Sequence, residues 1–234
     1  GQEKALDVET WRGTPAVISP DGARVAYVRG GHLYSAPLEG GEPQLICRRC
    51  RVMNGWSADS ARVLFEQNGS IGLAYPGHAE RQRREFLRHP SAALREARFS
   101  PDNRWIAVQM ERRGGSNRQI WIVPFHEGPD PAEDTWIAVT EEDRDARYPC
   151  WSAAGDVLYY LSGRDGFRCI WGRRLDRTTG RPRGEPFAVR HFHQARYSLA
   201  GPRTPEVMSL ASARGRLVFT LHETTGDLWL LRTR

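Results

Sequence analysis

Several spacings in the 234-residue chain bring together side chains able to do chemistry. Cys47-Arg48-Arg49-Cys50 is a C-x2-C knuckle. Two thiolates so spaced are half of a tetrahedral zinc site, which needs a second ligand pair at matching spacing. The sequence supplies no such pair. The knuckle therefore reads as a loop with two thiols or a short disulfide, with a metal half-site completed in space and a redox pair as alternatives. Cys150 and Cys169 are isolated. His191-Phe192-His193 sets two imidazoles on one face of an extended segment, the spacing of a metal pair, but loop histidines satisfy the same pattern and no metal is assigned. Gly55-Trp56-Ser57-Ala58-Asp59 approaches a G-x-S-x-G nucleophile elbow and fails at its last position. No G-x-x-x-x-G-K-[ST] or H-E-x-x-H string occurs, so neither a catalytic residue nor a cofactor is expected.

The elements that must position these residues follow from an internal repeat. Five segments share one order: a short strand, a serine-led turn, an apolar strand, a second turn and another apolar strand. They start at Ile18-Ser19-Pro20-Asp21-Gly22, Trp56-Ser57-Ala58-Asp59-Ser60, Phe99-Ser100-Pro101-Asp102-Asn103, Trp151-Ser152-Ala153-Ala154-Gly155 and the degenerate Leu210-Ala211-Ser212-Ala213-Arg214. Anchors at 19, 57, 100, 152 and 211 are separated by 38, 43, 52 and 59 residues, near the period of four-stranded propeller blades. An α/β fold would need helices between the strands, and the connections are short, rich in Gly and Pro and without 3.6-residue periodicity. The one helix-like stretch is Glu80 to Arg88.

The expected fold is all-β: a single β-propeller domain over residues 1–234, built of four-stranded antiparallel blades, with five blades and six as the alternative. The repeats cover about 14–47, 51–88, 95–140, 146–190 and 205–232. Outer strands are read at Pro43–Cys47, Arg84–Arg88, Thr135–Thr140 and Glu185–Arg190. The fifth repeat has none, and the alternating Ala5–Glu9 strand is expected to close the ring beside Leu228–Leu231, which removes exposed sheet edges.

Repetition also decides between chemistry and architecture at the turns. Pro20 and Pro101 preset φ, Asp21, Asp59 and Asp102 accept backbone N–H groups, and Gly22 and Gly155 tolerate positive φ. A carboxylate recurring at one turn position is a turn former, not a catalytic acid. Blades packed on both faces need bulky apolar filling, which assigns Trp105, Trp121, Trp136, Trp151, Trp171 and Trp229 to the core.

Composition excludes other classes. The chain is 39% apolar and 26% charged, with no apolar run of membrane-spanning length, and its opening Gly1-Gln2-Glu3 reads as an excised segment. Of 34 basic residues all but Lys4 are Arg, a one-sided usage that reads as coding bias and weakens the nucleic-acid reading of the +6 net charge. The Arg81–Arg84 and Arg173–Arg183 stretches fall on the outer rim as solvated loops.

The Ser-Pro-Asp-Gly turn, followed by Arg24-Val25-Ala26-Tyr27, His32-Leu33-Tyr34 and Gly40-Gly41-Glu42-Pro43, resembles the WD-repeat-like propeller repeats of the TolB family. The C-terminal third, with Ile170 to Asp176, Gly184 to Val189 and His191 to His193, is similar to the terminal propeller of bacterial proteins in which such repeats follow a serine/threonine kinase or winged-helix regulator. The resemblance implies a non-catalytic sensory or interaction module, periplasmic or extracytoplasmic, that binds a protein or small-molecule ligand and is a monomer as an isolated domain. It departs from the family at the fifth turn and in repeat number. Alternatives are a polysaccharide-lyase-like propeller enzyme using the His191/His193 pair, and a TolB-like envelope scaffold. Recognition on a rigid scaffold belongs to long connections, here Arg29–His32, Arg48–Gly55, Arg112–Asn117, Arg164–Phe167 and Gln194–Glu206. The candidate rim residues are Arg113, Asn117, Arg164, Asp165, His193 and Arg196.

Overall fold

The structure is a computed structural model that describes residues 16–50, 52–77, 83–112, 114–115, 118–193, 197–199, 210–213 and 216–223. Four consecutive four-stranded sheets follow the repeat. The first holds β1 (Val17–Ile18), β2 (Arg24–Arg29), β3 (His32–Pro37) and β4 (Gln44–Cys47). The second holds β5 (Val52–Trp56), β6 (Val63–Gln67), β7 (Ser70–Ala74) and β8 (Arg84–Leu87). The third holds β9 (Ala92–Phe99), β10 (Trp105–Arg112), β11 (Arg118–Pro124) and β12 (Ile137–Ala138). The fourth holds β13 (Ala146–Trp151), β14 (Val157–Ser162), β15 (Cys169–Leu175) and β16 (Pro182–Arg190). In each sheet spatial order equals chain order, and the paired strands are antiparallel.

Side-chain alternation in the second strands explains the stacking. Val63 and Phe65 of β6 face the first sheet, in one cluster with Ala26, Val28 and Leu33. Leu64 points the other way, onto Ile106, Val108 and Met110 of the third sheet. Ala107 of β10 likewise points forward onto Leu158 and Tyr160 of the fourth. Both faces of these strands are thus apolar because each is covered by a different neighbour.

Each serine anchor is a hydrogen-bonded turn. Ser19 Oγ donates to Asp21 at 2.5 Å and accepts from Arg24 N at 2.9 Å. Ser57 with Asp59 and Arg62, and Ser100 with Asp102 and Trp105, repeat the pattern. In the fourth turn the carboxylate comes from Asp156, at 2.9 Å from Ser152 Oγ. The fourth turn residue always has positive φ: Gly22, Ser60, Asn103 and Gly155. At Ser60 and Asn103 the side chain reaches back to the preceding turn, accepting from Asp21 N at 3.0 Å and Ala58 N at 2.7 Å. Ser57, the residue of the incomplete nucleophile string, is fully engaged in this architecture.

The indoles that end the first strands add a second tie between sheets. Trp56 Nε1 donates to Val17 O at 2.9 Å, and Trp151 Nε1 to Arg98 O at 3.1 Å. Both acceptors stand two residues before the preceding sheet's anchor serine. Trp56, absent from the core expected from sequence, is buried with Trp136 and Trp151, whereas Trp105, Trp121 and Trp171 are half-buried. Trp105 Nε1 donates to Arg177 O at 3.4 Å and Trp121 Nε1 to Gln119 Oε1 at 3.0 Å, whereas the Trp171 N–H is buried without a hydrogen-bond partner among the described residues.

Three further expectations are revised. The third outer strand shrinks from Thr135–Thr140 to Ile137–Ala138, because a 3-10 turn over Glu133–Thr135 precedes it. Arg84–Leu87 is a strand, in keeping with the outer strand read at Arg84–Arg88 and against the helix-like reading of the same stretch. The fifth repeat begins with β17 (Tyr197–Ser198), β18 (Leu210–Ala213), β19 (Arg216–Phe219) and β20 (His222–Glu223). Tyr197–Ser198 pairs with His222–Glu223, directly after the stretch that pairs with Leu210–Ala213. The long connection from Gln194 to Glu206 is therefore interrupted by a short strand. The ring-closing Ala5–Glu9 strand, Trp229 and the third strand of the fifth repeat lie outside the described residues.

Candidate functional site

The connections between second and third strands, and from each fourth strand to the next first strand, share one rim, and two groups of side chains gather there. The first group surrounds the first strands of the second, third and fourth sheets, which are bulged. In β5 the register slips between Met53 and Gly55, in β9 between Arg95 and Arg98, and in β13 between Arg147 and Cys150. Glu96 and Tyr148, in the last two bulges, have φ of 51° and 54°, a conformation uncommon for side chains of this size. Bulges re-aim side chains, and here the neighbouring sheet holds them. Glu66 Oε1 on β6 accepts from Glu96 N at 2.7 Å, and Gln109 Oε1 on β10 accepts from Tyr148 N at 3.4 Å. Glu66 and Gln109 each stand nine residues after an anchor serine.

Around these bulges runs a chain of alternating charge across three sheets. Arg95 bridges Glu66 at 3.6 Å and Glu111 at 3.5 Å, and Arg118 bridges Glu111 at 2.9 Å and Asp145 at 3.6 Å. Arg147 pairs with Asp145 at 2.8 Å, and Arg98 with Glu96 at 3.1 Å. Burial, opposed by the Glu96 N–H and only partly offset by Arg95, raises the Glu66 carboxyl above its ordinary value. Burial and the Arg147 charge lower the half-buried Arg168 guanidinium. Burial and the Glu96 charge raise Tyr148.

The second group lies at the fourth sheet. Asp165 and Cys169 come from the β14–β15 connection and the start of β15, and His191 and His193 follow β16. One ligand atom from each lies within 4.8 Å of the others. His191 Nδ1 and His193 Nε2 are each 2.9 Å from Asp165 Oδ2 and 3.1 Å from one another. Burial acts to raise the Asp165 carboxyl, but hydrogen bonds from His193, Phe167 N and His191 hold it below its usual value. Among the described residues, these four form the group with donors suited to a metal.

Of the six residues expected on the rim, Arg164, Asp165 and His193 are described and adjoin one another. The Arg164 guanidinium lies 4.9 Å from the Trp171 ring centre and 3.9 Å from Glu141. Arg113, Asn117 and Arg196 lie outside the described residues. Sequence reasoning missed Cys169 as a companion of the histidines, and missed Glu66, Glu96, Glu111, Asp145, Arg147 and Arg168. Glu66 and Gln109 had left a signal: each is a polar residue at one repeat position inside an otherwise apolar strand. The knuckle resolves differently from a metal half-site, since Cys47 and Cys50 form a disulfide.

No protein-family model and no curated protein matches the chain. Solved structures do. Over 79% of this chain and 63% of its own, a putative TolB from Agrobacterium tumefaciens superposes with a TM-score of 0.58 at 20% identity. The structure is a β-propeller scaffold. A Mycobacterium tuberculosis puromycin-hydrolyzing peptidase matches 83% of this chain with 31% of its own, at TM-score 0.59 and 17% identity. The calcium-binding protein regucalcin from Agrobacterium tumefaciens matches 77% with 60% of its own, at 0.53 and 13%. This chain thus spans less than two thirds of each, and at such identities the likeness is one of fold. No helix among the described residues is long and apolar enough to cross a membrane.

Proposed function

We propose that this propeller is a non-catalytic binding module, the sensory or interaction part of a larger bacterial regulatory protein, working outside the cytoplasm. It takes a protein or small ligand at the rim where the bulged first strands meet. The observation that carries this reading is the charged array around those strands. Five guanidinium groups, from Arg95, Arg98, Arg118, Arg147 and Arg168, interleave with four carboxylates, from Glu66, Glu96, Glu111 and Asp145. Their backbone is fixed by side chains of the adjoining sheet. Such preorganised arginine suits a partner bearing carboxylate or phosphate groups, because guanidinium matches their geometry with paired donors.

The test is capture from a bacterial envelope extract by the immobilised protein, in parallel with an Arg147→Ala/Arg168→Ala variant of unchanged thermal stability. A retained partner that is lost from the variant and released by moderate salt supports the reading. Equal recovery on both proteins refutes it.

A further inference from the structure

We infer that Asp165, Cys169, His191 and His193 form a binding site for one zinc-type divalent transition metal. The first argument is the triangle of His191 Nδ1, His193 Nε2 and Asp165 Oδ2, with edges of 2.9, 2.9 and 3.1 Å. Each imidazole can donate one N–H to Asp165 Oδ2, but the two N–H dipoles then converge side by side on a single oxygen with their nitrogens 3.1 Å apart, and with only one of them protonated the other turns a lone pair toward the carboxylate. A cation within the group attracts all three lone pairs at once. Zinc–nitrogen bonds of about 2.0–2.1 Å imply donor separations of about 3.3 Å in a tetrahedron, so a small outward shift of the rings suffices.

The fourth donor and the surroundings agree. Cys169 Sγ lies in the same group, within 4.8 Å of the other ligand atoms, and the thiol accepts the Phe192 N–H at 3.3 Å. A donor to sulfur at that position stabilises a thiolate ligand. Binding transfers the Cys169 thiol proton to solvent as the metal–sulfur bond forms. Thiolate and carboxylate together then neutralise a divalent ion. The imidazole and thiolate donors disfavour calcium and magnesium, which prefer oxygen. The rings are oriented by packing: Phe167 stacks on His193 at 4.6 Å, and Trp171 meets the His191 ring edge to face at 5.7 Å. Such outer supports are a recurrent part of metal sites. The nearby Arg164 charge is directed over Trp171 and toward Glu141. Both histidine side chains are 47% exposed, which gives an ion access from solvent.

The site also has a position that gives it consequence. Alternation along the extended segment sets His191 and His193 on one side and Phe192 on the other. Phe192 packs with Leu161, Ile170, Leu199 and Phe219, between the fourth sheet and the fifth repeat. A bound metal therefore pins the segment that carries this packing to the β14–β15 connection.

The experiment uses the full chain, stripped with chelator and dialysed, then titrated with Zn2+ by calorimetry and with Co2+ by absorbance. One equivalent of metal, a thiolate-to-cobalt charge-transfer band and a higher melting temperature with Zn2+ are expected. His193→Gln, at a half-exposed position, should weaken Zn2+ binding by about 100-fold or more, beyond what loss of an outer partner produces. Cys47→Ser/Cys50→Ser should retain both stoichiometry and band. Cys169→Ser is read through the Co2+ band alone, which should vanish. Binding well below one equivalent, affinity that survives His193→Gln, a Co2+ complex without the thiolate band, or a band that follows Cys47 and Cys50 would each overturn the assignment.

Discussion

Gly72 offers a direct test of how tightly the sheets are filled. It pairs across β6 and β7 with Phe65. A Cβ at Gly72 would stand 2.2 Å from Phe65 Cζ and 2.3 Å from Cε2, where carbon contacts prefer about 3.5–4.0 Å. The ring would have to retreat by more than about 1 Å. Phe65 is 2% exposed and enclosed by Met53, Trp56, Val63 and residues of the first sheet, so it has no free space to enter. Relief of glycine's chain entropy favours Gly72→Ala by roughly 0.5–1 kcal/mol. Overpacking opposes it by about 1–3 kcal/mol. The net expectation is destabilisation of about 1–2 kcal/mol, or a melting point lower by roughly 2–8 °C for a chain of this size. Thermal and urea unfolding measure it. Phe65→Leu in the same chain opens room, so the double variant should be more stable than the sum of the single effects, with a coupling of about 0.5 kcal/mol or more. A neutral or stabilised Gly72→Ala, or strict additivity with Phe65→Leu, would refute this account of the packing.

Trp151→Phe keeps most of the buried ring but removes the bond to Arg98 O, leaving that carbonyl without its cross-sheet donor. A loss of about 1–3 kcal/mol in urea unfolding is expected, and an unchanged midpoint would show that the tie between third and fourth sheets contributes nothing. Glu66→Gln keeps an oxygen to accept from Glu96 N and removes a buried charge. Because burial raises the folded-state Glu66 carboxyl above its unfolded value, the wild type loses stability as pH rises from the unfolded value through the folded one. The variant lacks that loss, so its melting temperature relative to wild type should increase between pH 4 and 7. A decrease over that range would mean that the Arg95 ion pair outweighs desolvation.

The local elements were legible in the chain because each is encoded within about 40–60 residues, as befits repeat architectures. Serine anchors, turn carboxylates and residues of positive φ act over a handful of positions, and an apolar pair of strands follows each. Departures arose where packing outside the repeat intervened. Trp105 and Trp171 are aromatic residues in apolar strands, yet they are only half-buried. Nothing local distinguishes them from the buried Trp151. The bulges at Glu96 and Tyr148 were invisible for a similar reason: a register slip depends on the partner strand, and its N–H acceptor comes from another sheet.

The sequence alone determined strand order within the first four repeats, the turn chemistry and the side of the scaffold on which long connections emerge. Periodic side-chain pattern and turn stereochemistry are local properties, so reading along the chain suffices. Tertiary structure alone decided which distant groups meet. Asp165 and Cys169 approach His191 and His193 because β15 pairs antiparallel with β16, returning the chain to the rim it had left. That pairing folds back some twenty residues of intervening strand and turn, and the chemistry of the rim depends on it.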